Sequence, residues 1–152
     1  KVLFLSRYEV TFTSNKNNKP TMFNMSTEVT AGIKVTVETF YQPTHSNPGQ
    51  NYYVFSYRIT IANESEEVIK LKRRHWYIID SDNARREVEG KGVVGEQPVI
   101  HPGEQYRYVS GCNLNTEIGK MYGTYLMERE SDNKLFYVKI PEFKMIVPSK
   151  LN

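Results

Sequence analysis

The sequence predicts an all-β protein, folded as a sandwich of antiparallel sheets. Apolar and polar residues alternate with a period of two along several segments. Turn residues separate these segments at intervals of roughly 8–12 residues, a spacing typical of sandwiches and barrels. Eleven tyrosines and seven phenylalanines add the aromatic side chains that pleated, half-buried surfaces favour. No window has the spacing of an amphipathic helix.

The first half of the chain contains three strong strand signals. Residues 33–39 alternate apolar and polar side chains, as in a half-buried strand. After a loop rich in proline and asparagine, residues 53–61 give the clearest signal, because their odd-numbered side chains are all apolar or aromatic. A turn at residues 63–67 leads into a third long strand, residues 68–80.

The third strand contains an irregularity. Ile69 and Leu71 are odd-numbered, whereas Trp76 and Ile78 are even-numbered. Side chains alternate strictly between the two faces of a strand, so both pairs reach the core only if one extra residue separates them. We therefore predict a β-bulge near Arg73–Arg74, with Trp76 in the core.

Shorter strands complete the chain. Residues 81–84 have the composition of a tight turn, and residues 85–89 return as a short strand before a glycine-rich loop. Pro141 is expected to interrupt the final strands. The remaining extended segments are residues 97–101, 106–110, 119–128, 135–140 and 143–147.

Length and composition exclude several classes of protein. The 152 residues suit one domain, and the single cysteine, Cys112, cannot form an internal disulfide. This favours a reducing compartment, and we expect a cytoplasmic protein. The longest apolar run is far shorter than the roughly 20 residues of a membrane span. The net charge of +3 is too small to indicate nucleic acid, and the basic run 70–75 suits a solvated edge strand.

We expect three segments along the chain: a loose arm over residues 1–29, the sandwich domain over 30–148 and a short tail over 149–152. The arm has no long apolar core and no cleavage site of a signal peptide. The chain begins at Lys1, and Met22 and Met25 stand before the first regular segment. The arm is therefore explained equally well as a cloning remnant, as the result of a mis-assigned start or as a functional segment.

Ordered blocks recur over about Thr30 to Val147, at residues 53–61, 74–80, 87–98, 102–104, 108–111, 119–125 and 140–143. Together these blocks resemble the ApaG domain family. The resemblance implies an immunoglobulin- or fibronectin-III-like sandwich, a role in protein interaction and no catalysis. It also implies, for bacterial members, an association with cobalt and magnesium tolerance. Two features depart from the family: the arm has no counterpart, and Glu117 stands where a turn proline is usual.

The glycine-rich loop has the pattern G-x-G-x-x-G, at Gly90, Gly92 and Gly95. In a dinucleotide site this pattern follows a buried strand and opens a helix, but the prolines that follow here prevent a helix. Two interpretations stay open. In the first, the loop amides, together with Lys91 and Arg74, bind a phosphate or pyrophosphate. In the second, the glycines only supply the positive φ angles that the loop needs.

Metal and catalytic sites have little support in the sequence. His45, His75 and His101 stand apart, with no ligand spacing and no cysteine pair. We expect no cofactor, although weak binding of Mg or Co stays open, in the case of Mg through a bound phosphate. Cys112 has no neighbouring base that would make it a nucleophile.

The favoured function is a non-enzymatic module that binds an unidentified protein partner, through a sheet face or through the loop from Glu89 to Pro98. Tyr106 and Tyr122 are expected to be exposed contact residues, because tyrosine is enriched at interfaces. An exposed edge strand would also permit a homo-oligomer. The alternative function is a phosphate or pyrophosphate sensor, with or without Mg, that uses the loop from Gly90 to Gly95.

Overall fold

The computed structural model describes residues 24–151, which form nine strands and three short 3₁₀ helices. The helices are Pro43–His45, Pro48–Gln50 and Pro148–Lys150. Within this range no helix is long and apolar enough to cross a membrane. The strands are β1 (Asn24–Thr30), β2 (Ile33–Tyr41), β3 (Tyr53–Asn63), β4 (Ile69–Asp80), β5 (Arg85–Lys91), β6 (Val99–Ile100), β7 (Gln105–Leu114), β8 (Ile118–Arg129) and β9 (Lys134–Ile146).

The strands build two antiparallel sheets. The first has the order β1-β2-β3-β7, and the second has the order β5-β4-β8-β9 with β6 also paired to β4. The chain crosses between the sheets after β3, before β7 and after β7. The predicted all-β sandwich of immunoglobulin or fibronectin III type is confirmed.

The core lies between the sheets and follows the predicted alternation. The odd-numbered residues of β2 and β3 point inward, and Ile33, Val35 and Val37 are fully buried. Trp76 is 1% exposed and contacts aromatic rings from both sheets. Its position in the core is therefore confirmed.

The predicted bulge is confirmed and lies at Lys72. In the pairing of β4 with β8, Leu71 is opposite Met127 and Arg73 is opposite Leu126, so Lys72 has no partner. Ile69 and Leu71 before the bulge, and Trp76 and Ile78 after it, are all buried. The bulge therefore sets which residues of β4 point inward beyond Lys72, Arg74 among them.

The regular fold begins earlier than the predicted boundary at Thr30. Residues 24–29 pair along β2 as strand β1, from Asn24 opposite Thr39 to Thr30 opposite Ile33. The sequence did not reveal this strand because its apolar side chains point outward: Met25 is 59% exposed and Val29 is 57% exposed. The rest of the predicted arm, residues 1–23, lies outside the described residues.

Two further details correct the sequence prediction. Strand β9 runs continuously through Pro141, which sits where the pairing of β8 with β9 shifts register. A proline fits there because β9 is an edge strand and needs hydrogen bonds on one side only. Within the predicted tail, Lys150 belongs to the last 3₁₀ helix and forms an ion pair of 3.0 Å with Glu117.

Candidate functional site

The glycine-rich segment forms a two-residue hairpin turn. The amide of Val93 donates to the carbonyl of Glu96 at 2.8 Å, and the amide of Glu96 donates to the carbonyl of Val93 at 2.9 Å. The two central residues, Val94 and Gly95, have φ angles of 48° and 80°. Positive φ at both central positions is what a type I′ turn requires. The segment is a hairpin and not the start of a helix.

The three glycines of the pattern meet three different structural needs. At Gly92, a Cβ would lie 2.1 Å from the carbonyl oxygen of Glu96, so no side chain fits. Gly95 supplies a positive φ in the turn. At Gly90, a Cβ would lie 3.1 Å from Nη1 of Arg74, so the absence of a side chain makes room for the guanidinium.

The amides of this segment are mostly used inside the chain. The amide of Gly92 donates to the carbonyl of Lys72 at 2.9 Å, and those of Val93 and Glu96 bond across the turn. The structure does bring the five predicted anion-binding residues together, since Arg74 lies against Gly90, Lys91 and Gly92, and Gly95 lines the same cavity as Arg74. The Arg74 guanidinium makes these contacts with main-chain carbonyls. Carbonyls are hydrogen-bond acceptors, whereas an anion site on the loop would need amide donors.

Arg74 closes one side of a cavity between the two sheets. Its Nη1 donates to the carbonyl of Lys91 at 3.1 Å and to that of Gly92 at 2.7 Å. The cavity has a volume of about 80 Å³. We call it the inter-sheet cavity; it is lined by Tyr57, Arg74, Trp76, Val93, Val94, Gly95, Tyr108 and Ser110.

Three buried phenols lie near the guanidinium. The hydroxyls of Tyr108 and Tyr125 hydrogen-bond to each other across the sheets. Burial raises the pKa of Tyr57, Tyr108 and Tyr125, while the positive charge of Arg74 acts in the opposite direction on all three. The phenols are therefore protonated at neutral pH and can donate. The sequence did not indicate this group, because its members come from three strands that are distant in the chain.

A second aromatic group lies on the outer face of the second sheet. The rings of Tyr77 and Tyr122 stack with centroids 5.1 Å apart, and the His75 ring lies 4.5 Å from Tyr77. The guanidinium of Arg85 sits 4.5 Å above the Tyr77 ring. We call His75, Tyr77, Arg85 and Tyr122 the outer aromatic group. Nε2 of His75 is also 3.1 Å from the carboxylate of Glu87.

The two tyrosines predicted as contact residues lie on different sheets. Tyr122 is on β8 and belongs to the outer aromatic group, whereas Tyr106 is on β7 and packs against the core. Both are half-buried and neither is exposed, contrary to the prediction. Tyr106 loses exposure because its ring lies beside that of Tyr108, with centroids 6.2 Å apart.

A buried ion pair lies beyond Trp76 on β4, between the same two sheets. Oδ1 of Asp80 accepts the amide of Asn115 at 2.9 Å and the hydroxyl of Thr116 at 3.2 Å. Its Oδ2 is 3.8 Å from Nη2 of Arg86, which donates to the carbonyl of Asn113. Asp80 Oδ2 and Arg86 Nε are buried without a hydrogen-bond partner. The pair joins β4 and β5 to the connection between β7 and β8.

Cys112 lies near this ion pair and is buried. Burial raises the pKa of its thiol to about 12, although the positive charge of Arg86 acts against this shift. The thiol is therefore protonated at neutral pH, and a thiolate is the form that acts as a nucleophile. Among residues 24–151, no three His, Cys, Asp or Glu side chains group where they could hold a metal ion.

Val94 is strained in the hairpin turn, and replacing it with asparagine is expected to stabilise the protein. A β-branched residue at positive φ is unfavourable, whereas asparagine tolerates this conformation and Asn-Gly is a preferred type I′ pair. We expect Val94→Asn to raise the free energy of unfolding by about 1 kcal/mol. The melting temperature should rise by roughly 2–4 °C, measured by circular dichroism.

Val99 provides the matched control for this change. It is 41% exposed, compared with 40% for Val94, but it lies in strand β6. Val99→Asn should lower the melting temperature, because asparagine is disfavoured in strands. If both substitutions lowered it equally, strain at Val94 would not be the deciding factor.

The fold and its two aromatic groups define a small β-sandwich domain of immunoglobulin or fibronectin III type. The chain belongs to the ApaG family, because the family model of the ApaG domain matches residues 43–129. The resemblance in the sequence is thereby confirmed.

Relatives of known name and structure agree with this assignment. The chain is 48% identical to Protein ApaG of Brucella canis over 126 residues, which cover 83% of this chain and 96% of the relative. It is also 48% identical to Protein ApaG of Brucella anthropi over 122 residues, which cover 80% and 93%. A crystal structure from Bordetella pertussis, described as an ApaA protein, is 42% identical with a TM-score of 0.74. It covers 76% of this chain and 94% of that one.

Proposed function

We propose that this protein is a non-enzymatic module that binds another protein through the outer face of its second sheet. The observation that supports the proposal is the outer aromatic group, in which rings stack on the solvent side of the sheet. The core between the sheets is formed in part by other rings, those of Trp76 and its aromatic neighbours. The rings on the other face therefore contribute nothing to the inter-sheet core.

The composition of this face suits protein recognition. Tyrosine and arginine are enriched among interface residues that contribute most to binding. Tyr77 and Tyr122 are directly opposite each other in the pairing of β4 with β8, and the stack fixes both rings before a partner arrives. Further along the same face, Tyr137 is 67% exposed and Leu135 is 52% exposed. Rings that are already fixed lose little side-chain entropy on binding.

The alternative function, a phosphate or pyrophosphate sensor on the loop from Gly90 to Gly95, has less support. An anion site made of main-chain amides needs several that point outward together. Here the amides of Gly92, Val93 and Glu96 donate to carbonyls of the chain itself. The glycines are explained by the hairpin and by the position of Arg74.

Affinity capture tests the proposed function. The immobilised protein is incubated with soluble extract of its source organism, and retained proteins are quantified for wild type, Tyr77→Ala/Tyr122→Ala and Tyr106→Ala. The affinity for a specific partner should fall at least about 30-fold in the double variant, since interface hot spots contribute 2 kcal/mol or more. Tyr106→Ala should retain the partner, because Tyr106 is on the other sheet.

Circular dichroism first establishes that each variant is folded. Equal capture by wild type and by the folded double variant would contradict the assignment of this face. Loss of the partner in Tyr106→Ala alone would move the interface to the first sheet. If the captured partner is the protein itself, analytical ultracentrifugation should show that the double variant dissociates.

A further inference from the structure

We infer that the inter-sheet cavity binds a small tetrahedral oxyanion, such as inorganic phosphate, through Arg74 and the hydroxyls of Tyr57, Tyr108 and Ser110. This inference is independent of the protein-binding role of the outer face. The site also differs from a nest of loop amides, because its donors are side chains that lie behind the hairpin turn.

The charge of the cavity favours an anion. Arg74 is the one charged residue among the eight that line it, and none of the eight carries a carboxylate. A guanidinium is a planar fork of N–H donors whose geometry matches an oxyanion, and in Arg74 the carbonyls of Lys91 and Gly92 already accept from Nη1. Hydrogen bonds from a charged donor to an anion are about twice as strong as those between neutral groups.

The bulge at Lys72 is what brings this charge into the cavity. Without the extra residue, Arg73 would follow Ile69 and Leu71 on the inner face of β4, and Arg74 would point to solvent. With the bulge, Arg74 lies on the same face as Trp76, while Arg73 forms an ion pair with Glu89 outside. Bulges commonly re-aim a side chain next to a functional site.

The guanidinium is held in place before any ligand binds. The carbonyls of Lys91 and Gly92 both accept from Nη1 of Arg74. Gly90 lies directly beneath, with the position of its absent Cβ 3.1–3.3 Å from three guanidinium atoms. A donor that is already oriented avoids the entropy cost of being ordered on binding.

The hydroxyl groups that line the cavity together with Arg74 supply neutral donors. Tyr108 and Tyr125 share one hydrogen bond, so one of their two protons is left for another acceptor. Tyr57 and Ser110 face each other in the pairing of β3 with β7 and both line the cavity. Their hydroxyls hydrogen-bond to each other, so one of these two protons is also left for another acceptor. Because burial raises the pKa of these phenols, they keep their protons at neutral pH.

The size of the cavity limits the ligand to a single small group. Its volume of about 80 Å³ is more than the roughly 10–15 Å³ that a single water needs, so there is room for a small group. Pockets for organic ligands measure roughly 300–1,000 Å³. The rim is formed by the hairpin turn, where Val94 is 40% exposed. One tetrahedral oxyanion fits this description, whereas a nucleotide does not.

Tryptophan fluorescence provides a direct test, because the chain contains one tryptophan and Trp76 lines the cavity. The protein is titrated with inorganic phosphate at constant ionic strength, as wild type, Arg74→Met and Arg73→Met. Wild type should show a saturable change. Arg74→Met should weaken the affinity at least about tenfold, as expected for loss of a charged hydrogen bond. Arg73→Met removes the same charge from the opposite face and should bind within about twofold of wild type.

Two further measurements address folding and ligand class. Ser110→Ala keeps the guanidinium and should weaken phosphate binding about threefold or more, even if Arg74→Met fails to fold. Sulfate should compete with phosphate, whereas acetate should compete poorly. The inference is overturned if wild type shows no saturable response, if Arg73→Met loses as much affinity as Arg74→Met, or if acetate binds as tightly as phosphate. If pyrophosphate changed the NMR chemical shifts of the amides of residues 90–95 alone, and if Ser110→Ala left its binding unaffected, the anion site would lie on the loop instead.

Discussion

Replacing Gly123 with alanine is expected to lower the free energy of unfolding by about 3 kcal/mol. Gly123 lies in β8 opposite Trp76, and a Cβ there would be 2.1 Å from the carbonyl oxygen of His75. The obstructing atom belongs to the backbone of β4, in the middle of the second sheet, so no side chain can turn away to make room. Such overpacking commonly costs 1–3 kcal/mol, and a clash with backbone lies at the upper end. Chemical denaturation monitored by Trp76 fluorescence measures the change.

Gly49 provides the control for this prediction. It lies in a 3₁₀ helix, and the nearest atom to an added Cβ is Oδ1 of Asn47 at 3.5 Å, an ordinary contact. Gly49→Ala should leave stability unchanged or raise it slightly, because alanine restricts the unfolded chain. If Gly123→Ala were as stable as Gly49→Ala, the second sheet would have to open locally between β4 and β8.

The pattern of side chains in the sequence was sufficient to predict most of the sandwich. Strict alternation identified β2 and β3, and the change of parity between Leu71 and Trp76 predicted the bulge within one residue. These predictions succeed because each strand has one face in an apolar core, which imposes a period of two on the sequence. Strand β1 was missed because the prediction depends on apolar residues facing the core, whereas the apolar residues Met25 and Val29 of β1 face outward.

The candidate sites were harder to predict, because their residues meet only in the folded chain. Arg74 was predicted at the glycine loop and does lie there, but its hydroxyl neighbours Tyr57 and Ser110 come from β3 and β7 of the other sheet. Nothing in the local sequence distinguishes these two residues from others on the inner faces. The ion pair of Asp80 and Arg86 was missed as well, since the two residues flank the predicted tight turn at residues 81–84 and their pairing forms only in the folded chain.

The G-x-G-x-x-G pattern shows how one motif can serve different structures. In a dinucleotide site the glycines allow a pyrophosphate to approach a helix N-terminus. Here Gly92 admits the carbonyl of Glu96, Gly95 supplies the turn and Gly90 makes room for Arg74. The same spacing therefore supports a hairpin that holds the Arg74 guanidinium in place, and the proposed anion site in the cavity depends on this position of Arg74.

The buried ion pair gives the second prediction with a large effect. Asp80→Asn keeps the shape of the side chain but removes the charge opposite Arg86, whose Nε has no hydrogen-bond partner. Removing one member of a buried pair leaves an uncompensated charge and typically costs 3–5 kcal/mol. Because the Arg86 side chain is 22% exposed, water can reach part of it, and we expect about 3 kcal/mol. Glu117→Gln, which breaks the exposed pair with Lys150, should cost less than about 1 kcal/mol.

A double variant separates the charge from the rest of the contact. Arg86→Met in the Asp80→Asn background removes the stranded charge, so the double variant should recover about half or more of the lost stability. Replacing both members of a buried pair is often neutral, whereas breaking the pair is not. Urea denaturation of the four proteins in this cycle gives the coupling energy, which should exceed about 1.5 kcal/mol. A coupling near zero would mean that Asp80 stabilises the fold only by accepting from Asn115 and Thr116, and that the Arg86 charge is adequately solvated.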